Sequence, residues 1–263
     1  MVFPVFADHL DQLARRRPAA VIPWASPVPY FGAAPSSVVA TVGINPSSLE
    51  FLDEGGHELD GNARRLPTLR SLGLQRWADA DSRHLRRVVS SCGAYFNGQP
   101  YERWFGVLER VLSPSGITYY GPEPSAAHLD LVAFATRQKW SSLPFQERRR
   151  LLASTSAPFA MLIRFMSARV LVLNGRSVVE AFESSGRAEF EPVRMKSWDL
   201  PRAATDVPGF AYVGRIDRFA GVPLGRVVTV VGFNHNLQSS FGVTSTVVDE
   251  IGVWLASLIR GNL

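Results

Sequence analysis

The sequence predicts a three-layer α/β/α sandwich on a central, mostly parallel four-stranded sheet, and two observations predict it. Four short segments, Val38–Val42, His128–Phe134, Val170–Leu173 and Val227–Phe233, are apolar, β-rich and bounded by turn residues, as buried strands are. Between them lie stretches whose apolar residues recur at three- and four-residue spacing, the period of a helix face. Strands that alternate with helices imply parallel pairing, with the crossovers covering both faces of the sheet.

In chain order, Val38–Val42 is a β-branched run that stops in Gly43-Ile44-Asn45-Pro46-Ser47-Ser48, a polar loop at a sheet edge, where open α/β folds place ligands. The interval 49–95 is polar, arginine-rich and weakly periodic, and reads as an insertion near the mouth of a site. Tyr101, Trp104, Phe105, Leu108, Val111 and Leu112 mark one helix, and Phe159, Leu162, Ile163 and Met166 another. From Gly186 to Leu224 the prolines and glycines predict a long excursion with one short strand, Ala211–Gly214. A last helix sets Val247, Ile251, Trp254, Leu255 and Leu258 on one face, with Thr244 to Thr246 as caps.

Composition narrows the function classes. A chain of 263 residues, 46% hydrophobic and without repeats or low-complexity tracts, suits one domain spanning 1–263. No apolar run approaches the roughly 18 residues of a membrane span, and the first ten residues carry Asp8 and His9 without a basic leader, so a cytoplasmic protein is expected. Cys92 is the single cysteine, which excludes an internal disulfide, an iron–sulfur cluster or a multi-thiolate zinc site within the chain. The net charge is +5, and the basic residues other than Lys139 and Lys196 are arginines, whose forked guanidinium suits phosphate. A nucleic acid is the partner this balance favours; Arg64, Arg65, Arg70, Arg83, Arg86 and Arg87 are candidate phosphate contacts, or a solvated helical face.

Phosphate loops, dinucleotide fingerprints, Gly-x-Ser-x-Gly elbows and His-Glu-x-x-His are absent, and the five histidines lack ligand spacing. Two strand-end loops remain. In Gly43–Ser48, Gly43 permits close backbone approach, Asn45 can orient a water through its amide oxygen, and Ser47 and Ser48 can bind phosphate. In the second, a buried strand ends in Asn234-His235-Asn236-Leu237-Gln238-Ser239-Ser240-Phe241-Gly242. There His235 can bond a developing oxyanion, and Leu237 or Phe241 offers an apolar wedge.

Together the two loops resemble the motifs of the uracil-DNA glycosylase superfamily. Gly43-Ile44-Asn45-Pro46-Ser47 is close to the Gly-Met/Ile-Asn-Pro-Gly of its single-strand-selective and mismatch-specific branches. His235-Asn236-Leu237-Gln238-Ser239-Ser240 matches that superfamily's His-Pro-Ser-Pro-Leu-Ser at the histidine and final serine and lacks both prolines, so Leu237, Gln238 and Phe241 all stand as intercalating candidates. Leu171–Ser177 resembles the penultimate strand and its turn, and Cys92–Gln99, continuing into Trp104-Phe105, the wall of the base pocket.

The resemblance implies a monofunctional DNA glycosylase without cofactor, metal or iron–sulfur cluster. It hydrolyses the N-glycosidic bond of a flipped-out base, with Asn45 positioning water and His235 stabilising the departing base. Phe96, Tyr95 and Phe51 are the expected stackers, and Ser47, Ser48, Leu237, Gln238, Ser239, Ser240 and Phe241 the expected DNA contacts. Asp130 falls where an asparagine reads uracil in that superfamily. A carboxylate accepts hydrogen bonds and donates none unless protonated, which points to a modified or amino-bearing base such as a modified cytosine. The alternative is a catalytically silent nucleic-acid-binding protein on the same scaffold.

Overall fold

The structure, a computed structural model, describes residues 11, 13, 18–98, 100–203, 205–238 and 240–262. Its strands are β1 (Phe31–Gly32), β2 (Val39–Gly43), β3 (Ala126–Asp130), β4 (Val170–Asn174), β5 (Pro192–Arg194), β6 (Phe210–Phe219) and β7 (Val222–Phe233). They form one sheet in the order β1-β3-β2-β4-β7-β6-β5. The centre, β3-β2-β4-β7, is parallel throughout, and β1, β6 and β5 join it antiparallel at the two sides. Every residue of β2, β3 and β4 is buried, which requires cover on both faces and explains why these strands read as continuous apolar runs.

The sheet thus has seven strands where the sequence predicts four, and the three additions share a cause. β1 is two residues long and β5 is three exposed residues, too short to show a pattern. β6 mixes buried and exposed positions, so the sequence marks only its Ala211–Gly214 stretch. The excursion Gly186–Leu224 therefore holds β5, all of β6 and the start of β7. A two-residue turn at Ala220 and Gly221, both at positive φ, closes the β6–β7 hairpin, as the twist of paired strands favours. The expected strand His128–Phe134 ends at Asp130; beyond it Leu131 and Val132 donate their N–H to Gly43 O and Ile44 O of the loop after β2.

Six helices matter here: α1 (Leu69–Leu72), α2 (Ser82–Gly93), α3 (Glu102–Leu112), α4 (Phe145–Phe165), α5 (Arg176–Gly186) and α6 (Ser245–Arg260). α3 packs on α6, while α4 packs on α5 and against β6 and β7. Asp81 caps α2, accepting from the N–H groups of Arg83 and His84, and Thr244 caps α6 through Val247 N–H. Residues 49–95 hold α1, α2 and several single turns. Their Leu66, Leu72, Trp77, Leu85, Val88 and Cys92 belong to the main core, so the segment is built into the domain while its polar face stays in solvent. No helix among the described residues is long and apolar enough to cross a membrane.

Candidate functional site

The carboxyl ends of β2, β3 and β4 and the segment after β7 surround a cavity of about 340 Å³, within the range of small-molecule sites. Gly43 to Ser48 form one side, Asp130 and His128 come from β3, and Asn174 ends β4. Asn236 arrives from the segment after β7, and Phe31 with Phe105 supplies an apolar wall. Two glycines let these pieces meet. A Cβ at Gly43 would stand 2.5 Å from Asp130 Oδ1, so the carboxylate lies against bare backbone. At Gly175 φ is +100°, and a Cβ there would meet Asn236 Cβ at 2.9 Å, so glycine lets the β7 loop close on the end of β4.

Asn45 is fixed through its amide nitrogen, which donates to Pro46 O at 3.0 Å, Phe134 O at 3.3 Å and Thr136 Oγ1 at 3.3 Å. Two of these partners are carbonyls, which only accept, so the nitrogen must face them and the amide oxygen of this cavity-lining residue is left to accept. This is the orientation that positioning a water through the oxygen requires. Ser47 caps the following turn, accepting from Leu49 N–H at 3.2 Å, and both Ser47 and Ser48 line the cavity.

Asp130 is buried, and its Oδ1 lies 3.4 Å from His128 Nε2. A chain behind it holds the histidine ring in place: Tyr119 Oη and Thr41 Oγ1 are 2.5 Å apart, and Thr41 Oγ1 is 2.8 Å from His128 Nδ1.

Glu50, which sequence reasoning missed, is buried at the cavity. Tyr101 N–H donates to Tyr95 Oη at 2.9 Å, and Tyr95 in turn donates to Glu50 Oε2 at 2.7 Å. Burial pushes the Glu50 carboxyl up from 4.5 to about 7, against the opposing pull of the Tyr95 bond and the Arg65 charge. The folded state thus binds a proton more tightly than the unfolded chain does. Stability from this group is present below pH ~4.5 and falls by about 3 kcal/mol as pH rises through ~7. Thermal melts should show this decline in the wild type and its loss in Glu50→Gln.

Other expected site residues stand elsewhere. His235 is turned away from the cavity: it is 2% exposed, and its Nε2 bonds Trp198 O at 2.8 Å. The turn Lys196–Trp198 inside the excursion, which carries no sequence signal, claims the ring, and burial lowers the ring's pKa. Asn236 is instead the polar side chain this loop gives to the cavity. His235→Ala is expected to cost about 1–3 kcal/mol by leaving Trp198 O without its donor, while activity at permissive temperature changes by less than about threefold; melts and turnover measured together check this.

Tyr95, Phe96 and Phe51 are buried and do not line the cavity. Tyr95 meets Phe31 edge-on at 4.8 Å and Phe96 meets Phe105 at 4.9 Å, so they buttress the wall from behind, while Phe51 packs on Trp24. The alternation that carries aromatic rings into a core cannot tell a wall from its support. Of the second-loop contacts, Leu237 is buried and Ser240 is half-buried with its N–H on Asn236 O. Gln238 is a strut, accepting from Asn174 Nδ2 at 2.7 Å and donating to Trp104 O at 3.0 Å. Ser239 lies outside the described residues. Phe241 remains, 83% exposed, with the Arg202 guanidinium 4.7 Å from its ring centroid.

The arginines of the insertion are largely engaged. Arg64 and Arg70 pair with Asp60, Arg83 with Asp81, Arg86 bonds Ser82 Oγ, and Arg65 donates to Leu49 O. Lys139, exposed, is the lysine at the cavity rim. Among the described residues no group of three or more histidine, cysteine or acidic side chains is placed to hold a metal ion. No protein-family model matches this sequence, and no curated protein matches it either.

Proposed function

We propose that the protein is a monofunctional DNA glycosylase that hydrolyses the N-glycosidic bond of a damaged or modified base held in this cavity. The observation that carries the reading is Asn45: its amide is clamped by the nitrogen, which leaves its oxygen to accept, and it lines a cavity that has an aromatic wall and lies at the strand ends. A base must leave the duplex to be attacked, and Phe31 with Phe105 gives the extruded ring an apolar face to lie on. The Asn45 oxygen then orients a water toward the sugar C1′. The C1′–N bond breaks with its electron pair going to the base, the water oxygen bonds C1′, and one water hydrogen ends on the base nitrogen. Asparagine is too weak a base to drive this alone, so the acceleration rests on placement and on charge stabilisation in a water-poor pocket.

Ser47, Ser48 and Lys139 line the cavity, and their hydroxyls and ammonium suit backbone phosphates. Phe241, exposed on the loop that Asn236 opens, is the residue left to fill the gap in a duplex. Phe241→Ala is therefore expected to slow excision from duplex by about tenfold or more and to leave single-strand excision within about twofold. Parallel time courses on the two substrates check it.

One observation favours a second reading, a catalytically silent nucleic-acid-binding protein: His235, to which the resemblance gives the departing base, is bonded to Trp198 O instead. A panel of oligonucleotides with single altered bases, scored for alkali-labile strand cleavage, separates the two. Cleavage with at least one base supports the glycosylase, and salt-dependent binding without cleavage supports the silent protein.

A further inference from the structure

Two acidic side chains face the one cavity, Glu50 from the turn after β2 and Asp130 from the end of β3, at 3% and 5% exposure. Each is held through one oxygen. Tyr95 donates to Glu50 Oε2 at 2.7 Å, and His128 Nε2 stands 3.4 Å from Asp130 Oδ1. The other oxygen of each is left for whatever fills the cavity.

Two neighbouring buried carboxyls do not both ionise readily, because each charge raises the cost of the other. Their surroundings decide which one holds the proton. Asp130 Oδ1 lies 3.4 Å from His128 Nε2, whose ring is tied back through Nδ1 to Thr41 and Tyr119. Glu50 faces the Tyr95 hydroxyl, the Asp130 charge and, at longer range, Arg65, and burial outweighs the attraction. The cavity therefore presents an acceptor, Asp130, and a donor, the Oε1–H of Glu50.

Resting on the glycosylase reading above, we infer that the substrate base carries an exocyclic amino group beside an unprotonated ring nitrogen, the cytosine or adenine pattern. Asp130 accepts from the amino group and Glu50 donates to the ring nitrogen. An imide base such as uracil fits this pair badly. Its single N–H is flanked by two carbonyl oxygens, so a carboxylate that reaches the N–H meets an acceptor beside it. An amino group lies at the end of the pairing edge and brings no such oxygen next to its outer hydrogen. The cavity of about 340 Å³ is larger than a bare pyrimidine ring fills, which leaves room for a substituent to mark the base.

The test uses the full chain and oligonucleotides containing cytosine, 5-methylcytosine, 5-hydroxymethylcytosine, adenine, hypoxanthine or uracil, with base release measured across pH 5–9. In a second arm, thermal shift is read with saturating free 5-methylcytosine or free uracil, which needs no catalysis. An amino-bearing base is expected to leave at least about tenfold faster than uracil, with Asp130→Asn reversing that order. The wild-type rate should fall by about tenfold per pH unit above ~7, and Glu50→Gln, whose amide donates at every pH, should lose that fall. Faster uracil release by the wild type, slowed by Asp130→Asn, overturns the inference and leaves the glycosylase reading standing. If no base is released, the glycosylase reading fails, and the thermal arm still decides the edge: a larger shift with uracil than with 5-methylcytosine overturns the inference.

Discussion

Replacing Asn45 by alanine is expected to lower base release by about two to three orders of magnitude, the scale seen when one preorganised polar group is removed from a hydrolytic site. The side chain is anchored at Pro46 O, Phe134 O and Thr136 Oγ1, so its oxygen has little freedom and the water it holds has little to reorganise. Alanine removes that acceptor and leaves Phe134 O with one donor fewer, a stability cost of about 1–2 kcal/mol. Asn45→Asp keeps an oxygen in place, but the carboxylate oxygen that replaces Nδ2 then opposes the Phe134 and Pro46 carbonyls. It is expected to lose stability as well as rate. Single-turnover excision beside thermal melts separates the two effects. A wild-type rate in Asn45→Ala would remove Asn45 from the mechanism.

Gly43→Ala should be comparably damaging for a different reason. Gly43 pairs with Asp130 across the β2–β3 register, and an added Cβ would stand 2.5 Å from Asp130 Oδ1 and 3.1 Å from His128 Nε2. Strand backbone cannot retreat far in a sheet buried on both faces, so the carboxylate must move and its contact with His128 is lost. A stability loss of about 1–3 kcal/mol, typical of overpacking, should accompany a fall in excision of more than about tenfold. Gly93→Ala is the control: a Cβ at that helical glycine meets nothing within 4 Å, and its effect should stay within about 1 kcal/mol.

How much of this was legible in the sequence follows from what each residue's surroundings are made of. β2, β4 and the second half of β7, residues 228–233, announce themselves because stretches of strand buried on both faces must be largely apolar. β6, with one face in solvent, and the three exposed residues of β5 have no such constraint. The loop after β2 was readable because strand-end polar sequence is local. His235 was misplaced because its partner, Trp198 O, lies 37 residues away in a segment without periodic pattern. Glu50 was missed for the opposite reason: it sits in a polar, arginine-rich stretch where an acidic residue looks like surface, and only the fold reveals that its carboxyl is covered by Tyr95 and aimed at the cavity. Its one sequence signal was position, four residues after Pro46 and at the start of the expected insertion. Asn174 carried a similar signal, a polar residue closing the run Leu171-Val172-Leu173 before the turn at Gly175, whose positive φ admits Asn236.

The most direct test of the central claim is hydrolysis itself, read by mass on an oligonucleotide from the panel incubated with the protein in ¹⁸O-labelled water. The glycosylase account predicts a free base in solution and a matching abasic strand that carries one ¹⁸O at C1′, both formed about a hundredfold or more slowly by Asn45→Ala. Intact strands with every altered base, under conditions where the protein binds that DNA in a salt-dependent way, would contradict it.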